Sequence, residues 1–439
     1  MRTTLTMSVT KALCFSTTVS GQSLFWLLFI PLLYLMDVYV FSGIKGLPKK
    51  WRFVHKKWFY KTYWAISIIV IMGMAFVIYT KALFGFRMPF LAAFFLSLTL
   101  KICSLPFILA DDLHRNIIRN KNKKSKQQNH EIQSIPRSEF LMKAGLLASS
   151  VPLAAIGLTM KSGLYNYKVI HQTLYLPNLP KAFDGLRIGQ ISDLHTGSLK
   201  NKLAVSGGID LLMHEKADVI FFTGDLVNTY CEEVSPLFNI LKKVKAPLGV
   251  YSCLGNHDYG DYVDWPNETA KRKNFDGITQ AHRQLGWDLI RNNNRRLKVN
   301  GEEIGILGVE NWGEISRGPQ HGRIDLASKN TDDLPVKLLL SHDPSYWRPH
   351  ILPNKTPIDV TFSGHTHGMQ LGIRTTDFQF SPVEFMYKEW AGHYQENKQQ
   401  LYVNVGMGFL SVEGRVGILP EITIFELKIG NSPIKVNLT

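Results

Sequence analysis

Hydrophobic positions follow two different patterns along the chain. In the first part they form long unbroken runs, each near the roughly 20 apolar residues that span a bilayer. Three of these runs occupy residues 23–41, 62–83 and 89–110. A shorter fourth run covers residues 144–160, and from about residue 165 the apolar runs become short and alternate with polar stretches. This pattern predicts an α-helical module with three or four transmembrane helices over residues 1–160 and a globular domain over residues 165–439.

The short apolar runs of the second part are typical of β-strands. Six of them are rich in Val, Ile, Leu and Phe, as expected for strands buried on both faces. They cover residues 186–192, 218–224, 249–255, 303–309, 336–341 and 358–364. Helical spacing appears at 202–216, at 235–244 and less regularly at 268–286, and later runs at 401–406 and 421–429 indicate further strands. Alternating strands and helices predict an α/β layered domain.

The net charge of +15 raises the question of a nucleic-acid partner. Its location argues against one. Residues 1–160 hold 20 basic and 5 acidic residues, whereas residues 161–439 hold 30 of each. The basic character therefore belongs to the predicted membrane module, and we expect the globular domain to have no nucleic-acid partner.

Basic residues also predict the orientation in the membrane. The loops at 43–61 and 111–138 each carry seven Lys or Arg residues, and such loops stay cytoplasmic. The N-terminus then lies outside. If 144–160 crosses the membrane, the globular domain lies on the extracytoplasmic face; if that segment only lies on the surface, the domain is cytoplasmic. The basic residues before this segment favour the crossing, so we expect a multi-pass protein of the cytoplasmic membrane with its globular domain outside.

Two ionisable residues, Asp37 and Lys101, fall within the predicted spans. Such residues can mark an ion path. Alternatively, Asp37 lies near the cytoplasmic end of its helix and Lys101 extends its stem toward the interface. The four cysteines, at 14, 103, 231 and 253, are too scattered for a thiolate metal site or a disulfide framework. Any bound metal must therefore use nitrogen and oxygen ligands.

Polar side chains with metal-binding chemistry follow five of the predicted strands. They are Asp193, His195, Asp225, Asn256, His257, Asp258, His342, His365 and His367. Side chains just past the carboxyl ends of neighbouring strands converge on one crevice in an α/β sheet. Glycines at 224, 255 and 364 precede most of them and are expected to let the backbone turn sharply.

The blocks that carry these residues resemble those of the calcineurin-like metallophosphoesterase family. In chain order they are SDLH (192–195), GDLVN (224–228), GNHD (255–258), SHDP (341–344) and GHTH (364–367). The chain looks most similar to membrane-anchored bacterial members that hydrolyse phosphodiesters or nucleotide-linked lipid pyrophosphates. Met369 departs from the pattern, where such relatives commonly have glycine. The resemblance implies a four-layer α-β-β-α sandwich.

The resemblance also implies a pair of divalent metal ions bridged by Asp225. Asp193, His195 and His367 would complete one site, and Asn256, His342 and His365 the other. Carboxylate, imidazole and amide ligands suit Mn²⁺, Fe²⁺ or Zn²⁺. His257 would then be free to protonate the leaving group, and Asp258 would hold its ring.

The function expected from these features is a membrane-anchored, dinuclear-metal-dependent phosphodiesterase or pyrophosphatase. Its substrate would be a phosphoester, with a lipid-linked one favoured by the membrane module. The alternatives are a catalytically silent scaffold and a sensor or transporter in which the domain is regulatory. Glu310, Asn311 and Trp312 follow another strand and either line the substrate cleft or form a plain loop. Arg415 either contacts a substrate phosphate or forms a surface salt bridge.

Overall fold

The computed structural model describes residues 21–47, 51–79, 84–125, 143–145, 147–150, 162–315, 318–375, 378–410 and 413–431. The chain forms two compact units, Met1–Ala155 and Ile156–Thr439. Three helices are described in the first unit: α1 Gly21–Lys45, α2 Lys57–Tyr79 and α3 Phe84–Ser125. Among the described residues, no helix combines the length and the apolar character that a membrane crossing requires. The fourth predicted span, 144–160, lies mostly outside the described residues.

The helices of the first unit pack through small apolar clusters and one buried ion pair. Val40, Leu47, Val54 and Ile108 form one cluster. Asp37 and Lys101 are 1% and 7% exposed, and the Lys101 ammonium lies 2.8 Å from a carboxylate oxygen of Asp37. The expectation that Lys101 extends toward the interface is therefore wrong, because this side chain pairs with Asp37 inside the unit.

The described part of the second unit contains fourteen strands and a set of mostly short helices. The strands are β1 Lys168–Leu176, β2 Arg187–Ile191, β3 Val219–Phe222, β4 Val250–Ser252, β5 Asp288–Leu289, β6 Asn293–Val299, β7 Glu302–Gly308, β8 Lys337–Leu340, β9 Val360–Ser363, β10 Ile373–Arg374, β11 Gln379–Phe380, β12 Gly392–Glu396, β13 Gln399–Val403 and β14 Glu421–Ile429. The α-helices are α4 Lys202–His214, α5 Phe238–Leu241, α6 Glu268–Leu285 and α7 Ile324–Ala327. Shorter helical turns occupy Lys181–Phe183, Cys231–Leu237, Asn256–Tyr259, Pro344–Tyr346, Trp347–Ile351, His367–Gln370 and Pro382–Phe385.

Two mixed six-stranded sheets form the centre of this unit. The first has the order β1-β14-β2-β3-β4-β5, and its strands β2 to β5 run parallel. The second has the order β12-β13-β9-β8-β7-β6, with β13, β9, β8 and β7 parallel. Strands β10 and β11 form a separate antiparallel hairpin. Each sheet therefore has a parallel centre, as expected for strands that are buried on both faces.

The sheets pack face to face, and helices cover their outer faces. Phe221 of the first sheet and Phe362 of the second meet edge to face at 5.1 Å between ring centroids. On the outer side of the first sheet, Ile209 of α4 and Ile278 of α6 join the core cluster. On the outer side of the second, α7 and the turn Trp347–Ile351 contribute. The layered α/β fold is confirmed, with short helices alone forming one outer layer in the described residues.

All of the predicted strands are present, but six others were not predicted; three of these six, β5, β10 and β11, are only two residues long. Strands β1, β6 and β12 are edge or near-edge strands with partly exposed, mixed side chains, so their sequences lack a continuous apolar run. The predicted helix at 235–244 is also shorter than expected. Pro236 lies inside a 3₁₀ turn, Cys231–Leu237, and only Phe238–Leu241 is α-helical. Proline cannot donate the backbone hydrogen bond that a helix interior needs.

Candidate metal centre

The predicted ligands come from strand ends of both sheets. Asp193 and His195 follow β2, Asp225 follows β3 and Asn256 follows β4, all in the first sheet. His342 follows β8, and the pair at 365 and 367 follows β9, in the second. The sequence predicted one sheet edge. The structure instead brings together the carboxyl ends of two facing sheets, which gives the cluster donors from opposite sides.

One group of donors consists of Asp193, His195 and His367. Each contributes one nitrogen or oxygen atom to a cluster in which all three atoms lie within 4.8 Å of one another. The Nε2 atoms of His195 and His367 are 3.1 Å apart, and Nε2 of His367 is 3.3 Å from an oxygen of Asp193. All three residues are buried.

A second group consists of Asp225, His342 and His365, again within 4.8 Å of one another. Nε2 of His342 lies 3.1 Å from Oδ2 of Asp225. The side-chain oxygen of Asn256 lies 3.2 Å from the same nitrogen and 2.7 Å from Nδ1 of His365. The amide nitrogen of Asn256 donates to the Tyr262 hydroxyl at 2.8 Å, which leaves the oxygen facing the imidazoles.

Asp225 lies between the two groups. Its Oδ2 atom is 3.1 Å from Nε2 of His342 in the second group and 3.5 Å from Nε2 of His195 in the first. Its other oxygen accepts a hydrogen bond from the backbone N–H of His257 at 2.8 Å. One carboxylate oxygen is thus within reach of both donor sets, which is the position that a bridging ligand requires.

The backbone adopts an uncommon conformation at most of these donors. Five of them have a positive φ between 46° and 73°: Asp193, His195, Asp225, His365 and His367. Non-glycine residues rarely occupy this left-handed region, although Asp and His do so more readily than most. Such strain is concentrated at functional sites, where the surrounding structure maintains it. The backbone therefore turns at the donors themselves, not only at the preceding glycines.

Two of the glycines that were expected to provide sharp turns before the donors have different roles. Gly224 has φ +95° and makes the predicted sharp turn. Gly364 has no positive φ; it is required because a Cβ there would overlap Ser192 and the carboxylate of Asp193.

Backbone carbonyls and burial set the protonation of the cluster. Nδ1 of His342 lies 2.7 Å from the Thr223 carbonyl oxygen, which can only accept, so Nε2 is the nitrogen available to a metal. Burial by itself would raise the pKa values of Asp193 and Asp225, but neighbouring imidazoles, chiefly His367 for Asp193 and His342 for Asp225, hold both well below the usual range. Burial lowers the pKa of His342, but Asp225 and Asp193 outweigh it and raise that pKa to about 10. The buried carboxylates thus favour a positive charge beside them.

His257 is close to the donor sets without belonging to either. Its ring lies 4.9 Å from that of His195 and stacks on Tyr262 at 4.5 Å between centroids. Nδ1 lies 2.8 Å from the carbonyl oxygen of Asn228. The prediction that Asp258 holds this ring is wrong, because the Asp258 carboxylate accepts backbone N–H groups of Asp225, Leu226, Val227 and Gly255.

Tyr387 and Asp343 also contact the cluster and were not predicted. Nε2 of His365 lies 2.8 Å from the Tyr387 hydroxyl and 3.3 Å from a carboxylate oxygen of Asp343. Asp343 directly follows His342, so its sequence position was a usable signal. Tyr387 comes from a turn that follows the β10–β11 hairpin, and no pattern in the sequence connects it to the cluster.

Arg415 has a different role from both that were predicted. Its guanidinium is fully buried and donates to the carbonyl oxygens of Val405, Gly406 and Gly408. One nitrogen lies 3.3 Å from Nδ1 of His367. Arg415 thus neither meets a phosphate at the surface nor forms a surface salt bridge; it holds the chain after β13 behind the cluster.

Of Glu310, Asn311 and Trp312, which follow β7, only Glu310 lines a described cavity. This cavity has a volume of about 640 Å³ and is also lined by Tyr259, Lys271, Arg272 and Arg291. Asn311 is buried. Trp312 packs near the ring of Tyr346, at 5.8 Å between centroids.

The chemistry of the donor sets fits divalent metal ions. Imidazole nitrogens and carboxylate oxygens converge at separations near 3 Å, and the described donors include no thiolate. Sites of this composition suit borderline divalent ions. The residues that would hold them are the two groups above, with the Asn256 oxygen added to the second.

Comparisons with known proteins agree with this geometry. A family described as "Calcineurin-like phosphoesterase" matches residues 186–369. A second, described as "Probable Calcineurin-like phosphoesterase, transmembrane domain", matches residues 22–164. Members of the phosphoesterase family are metal-dependent hydrolases of phosphoesters.

Three relatives illustrate the similarity. The metallophosphoesterase YkuE of Bacillus subtilis is 30% identical over 258 residues, which are 58% of this chain and 82% of YkuE. The metallophosphoesterase Cj0846 of Campylobacter jejuni is 26% identical over 410 residues, 90% of this chain and 95% of Cj0846. UDP-2,3-diacylglucosamine pyrophosphatase LpxG of Chlamydia muridarum is 28% identical over 279 residues, 52% of this chain and 81% of LpxG.

Proposed function

The chain belongs to the calcineurin-like phosphoesterase family, and from that membership we propose that it is a membrane-attached hydrolase of phosphoester bonds with two divalent metal ions in its active site. The observation that carries the proposal is the convergence of two N/O donor sets on Asp225. Asp193, His195 and His367 would hold one ion, and Asn256, His342 and His365 the other. Mn²⁺, Fe²⁺ and Zn²⁺ suit these ligands.

Bound metals would polarise a phosphoryl oxygen and lower the pKa of a coordinated water. The protein residues supply orientation and proton transfer. Nδ1 of His257 is opposite a carbonyl oxygen that only accepts, so it carries a proton and directs Nε2 away from Asn228. Tyr262 stacks on the ring and restrains its tilt. In its doubly protonated form His257 can then donate the Nε2 proton to a leaving alkoxide and return to the neutral ring with its proton on Nδ1, which is the general-acid role we assign to it.

Asp258 acts differently in this proposal. Its carboxylate binds the backbone at the ends of β3 and β4, so it positions Asp225 and Asn256. It is a positioning residue and does not contact the ring of His257.

We propose a lipid-linked phosphodiester or pyrophosphate as the substrate. The match of residues 22–164 to a transmembrane domain supports attachment to a membrane. LpxG, which resembles over half of this chain, acts on a lipid-linked nucleotide. The basic loops at 43–61 and 111–138 favour a cytoplasmic location for both loops, and a crossing by 144–160 would then place the phosphoesterase domain on the extracytoplasmic face.

The test is hydrolysis by the purified full-length protein in detergent. The chelated protein receives Mn²⁺, Fe²⁺ or Zn²⁺ in turn and is assayed with bis(p-nitrophenyl) phosphate, p-nitrophenyl phosphate and UDP-2,3-diacylglucosamine. We expect metal-dependent turnover of a diester or the pyrophosphate, and loss of that turnover in His195→Ala. Stoichiometric metal binding without turnover of any member of this panel would favour the catalytically silent scaffold instead.

A further inference from the structure

Exposed apolar side chains of the second unit are concentrated beside the candidate metal centre. Thirteen large apolar residues of the described part of this unit are exposed, and six of them lie between residues 369 and 386. These six, which we call the apolar rim, are Met369, Ile373, Phe378, Phe380, Phe385 and Met386. Single exposed apolar residues are normal on a protein surface, but a cluster indicates a contact surface.

The apolar rim is joined directly to the metal centre. Met369 follows His367 by two residues, and the Ser381 hydroxyl donates to the Gly368 carbonyl at 2.8 Å. Phe385 is 84% exposed, yet Tyr387, two residues later, is buried with its hydroxyl 2.8 Å from Nε2 of His365. A molecule that contacts the rim is therefore adjacent to the donors.

The segments that carry the apolar rim do not need its exposed side chains in order to fold. Their inward-facing residues Val383, Tyr387 and Trp390 form a separate buried cluster with Ile418 and Val405. The hairpin pairs Ile373 with Phe380 through the backbone. The segments thus have an apolar interior of their own and a second apolar surface that faces outward, and the second surface contributes little to the stability of the fold.

The exposure of the rim also indicates what covers it. Phe385 at 84% and Phe378 at 59% have little protein around them, so these rings protrude and do not line a groove. A single acyl chain or a peptide would need a groove to lose most of its own contact with water. Protruding Phe, Ile and Met side chains suit the interfacial region of a bilayer, into which they can insert without a complementary cavity. The match of residues 22–164 to a transmembrane domain supports attachment of the chain to a bilayer.

We propose that the apolar rim inserts into the surface of a phospholipid bilayer and presents the metal centre to phosphoesters located at that surface. The inference rests on the proposed function for its second part only. Contact with the bilayer is a property of the rim itself and can be tested without turnover.

The test places spin labels on the full-length protein in vesicles. Labels are attached to Phe385→Cys, Ile373→Cys and Ile429→Cys, in protein whose Cys14, Cys103 and Cys231 are replaced by serine; Cys253 is buried. Ile373 and Ile429 are a matched pair, 54% and 43% exposed. Ile429 ends β14, which runs antiparallel to β2, so it lies at the sheet edge opposite the donors.

The vesicles contain phosphatidylcholine and phosphatidylglycerol, and relaxation of each label by oxygen and by a water-soluble nickel chelate is compared. Oxygen concentrates in hydrocarbon and the chelate stays in water. We expect the oxygen-to-nickel ratio at 373 and 385 to exceed that at 429 by at least about threefold, because inserted side chains leave the aqueous phase.

Equal ratios at all three positions would overturn the proposal. Dipolar broadening at 385 that disappears on dilution with unlabelled protein would also overturn it, because a second copy would then cover the rim. Turnover of bis(p-nitrophenyl) phosphate, p-nitrophenyl phosphate and UDP-2,3-diacylglucosamine by the same samples, with Mn²⁺, Fe²⁺ or Zn²⁺ restored in turn, is measured separately. Inserted labels without any turnover would refute the proposed function and leave the bilayer contact standing.

Discussion

An oxygen of the Asp258 carboxylate accepts a hydrogen bond from the backbone N–H of Asp225 at 3.0 Å. The same oxygen accepts from Gly255 at 2.9 Å, and the other oxygen accepts from Leu226 at 2.9 Å. The side chain is fully buried. One carboxylate therefore holds the turn after β3 against the turn after β4, and this contact sets the distance between Asp225 and Asn256.

We expect Asp258→Asn to destabilise the protein and to reduce its metal content. The amide offers one acceptor oxygen and places an N–H₂ group against backbone donors. Leaving buried N–H groups without an acceptor costs about 1–3 kcal/mol. Chemical unfolding in detergent and metal analysis measure the two effects. Asp210→Asn, on an exposed residue paired with Lys243, is the control and should change the free energy of unfolding by less than about 0.5 kcal/mol. Similar values for the two variants would contradict the prediction.

Asp225 and His257 should respond differently to substitution. Asp225→Asn weakens a ligand shared by both donor groups, so we expect both metals to be lost together with turnover. His257→Ala should keep both metals and slow the reaction by roughly 10²–10⁴, because it removes only the proton donor. Metal analysis and turnover of the same preparations distinguish these outcomes. A His257→Ala protein that has lost both metals would contradict the assigned role.

The sequence predicted the position of the donors better than their surroundings. Asp193, Asp225 and His342 were all identified because each directly follows a continuous apolar run. A buried strand leaves little freedom in where its chain emerges, so motif and strand end coincide. The pairing of Lys101 with Asp37 could not be predicted, because the two residues are 64 positions apart and belong to different helices.

Contacts made by loop and turn segments were also missed. Tyr387 reaches His365 from a loop region, and the role of Arg415 depends on the carbonyls of Val405 and Gly408. Hydrophobic periodicity predicts which side chains share a face of one helix or strand. It does not predict which distant loop packs against that element. The ring of His257 was assigned to the adjacent Asp258 on sequence proximity, whereas the nearer acceptor is a backbone carbonyl, which any residue type provides.

His282 should make the stability of the second unit dependent on pH. It is fully buried, lies 3.0 Å from the Ser252 hydroxyl, and burial lowers its pKa to about 3. In the unfolded chain this imidazole is protonated below about pH 6.5, whereas in the folded protein it stays neutral down to about pH 3. The free energy of unfolding therefore falls as the pH decreases from about 6.5 toward 3. Between pH 7 and pH 5 we expect a loss of about 2 kcal/mol from this residue.

His282→Phe removes this contribution and serves as the reference. Urea unfolding of both proteins at pH 7 and pH 5, with a chelator throughout, keeps metal release out of the comparison. The native protein should lose about 2 kcal/mol more than the variant over this range. Equal losses would show that the buried imidazole does not determine the acid sensitivity.

The orientation in the membrane is tested by reporter fusions. A reporter that is active only outside the cytoplasm, fused after Ser162, should give a signal if 144–160 crosses the membrane. The same reporter fused near Lys124 should be silent, because its basic loop stays cytoplasmic. Signal from the Lys124 fusion would reverse the orientation, and silence from both would place the phosphoesterase domain on the cytoplasmic face.

The contributions of Asp37 and Lys101 to the stability of the first unit should depend on each other, because the two side chains form a buried ion pair. Asp37 also accepts from the Ser67 hydroxyl at 2.6 Å and lies 3.1 Å from the Tyr63 hydroxyl, so its carboxylate is fully surrounded by donors. Removing one partner of a buried pair leaves the other charge uncompensated, which destabilises a protein by about 3–5 kcal/mol. We expect Asp37→Asn to destabilise the first unit by an amount of this order, measured as thermal unfolding of the full-length protein in detergent.

The double variant Asp37→Asn/Lys101→Met decides what the pair does. If the charges exist to hold α1 against α3, removing both should restore much of the stability lost in Asp37→Asn, because no charge remains buried without a partner. Strictly additive losses would mean that the two side chains act independently, and the ion-path interpretation of these residues would then regain support. The single variant Lys101→Met completes the comparison, and turnover by the second unit should be unchanged in both single variants and in the double variant, since the pair supplies no group to the metal centre.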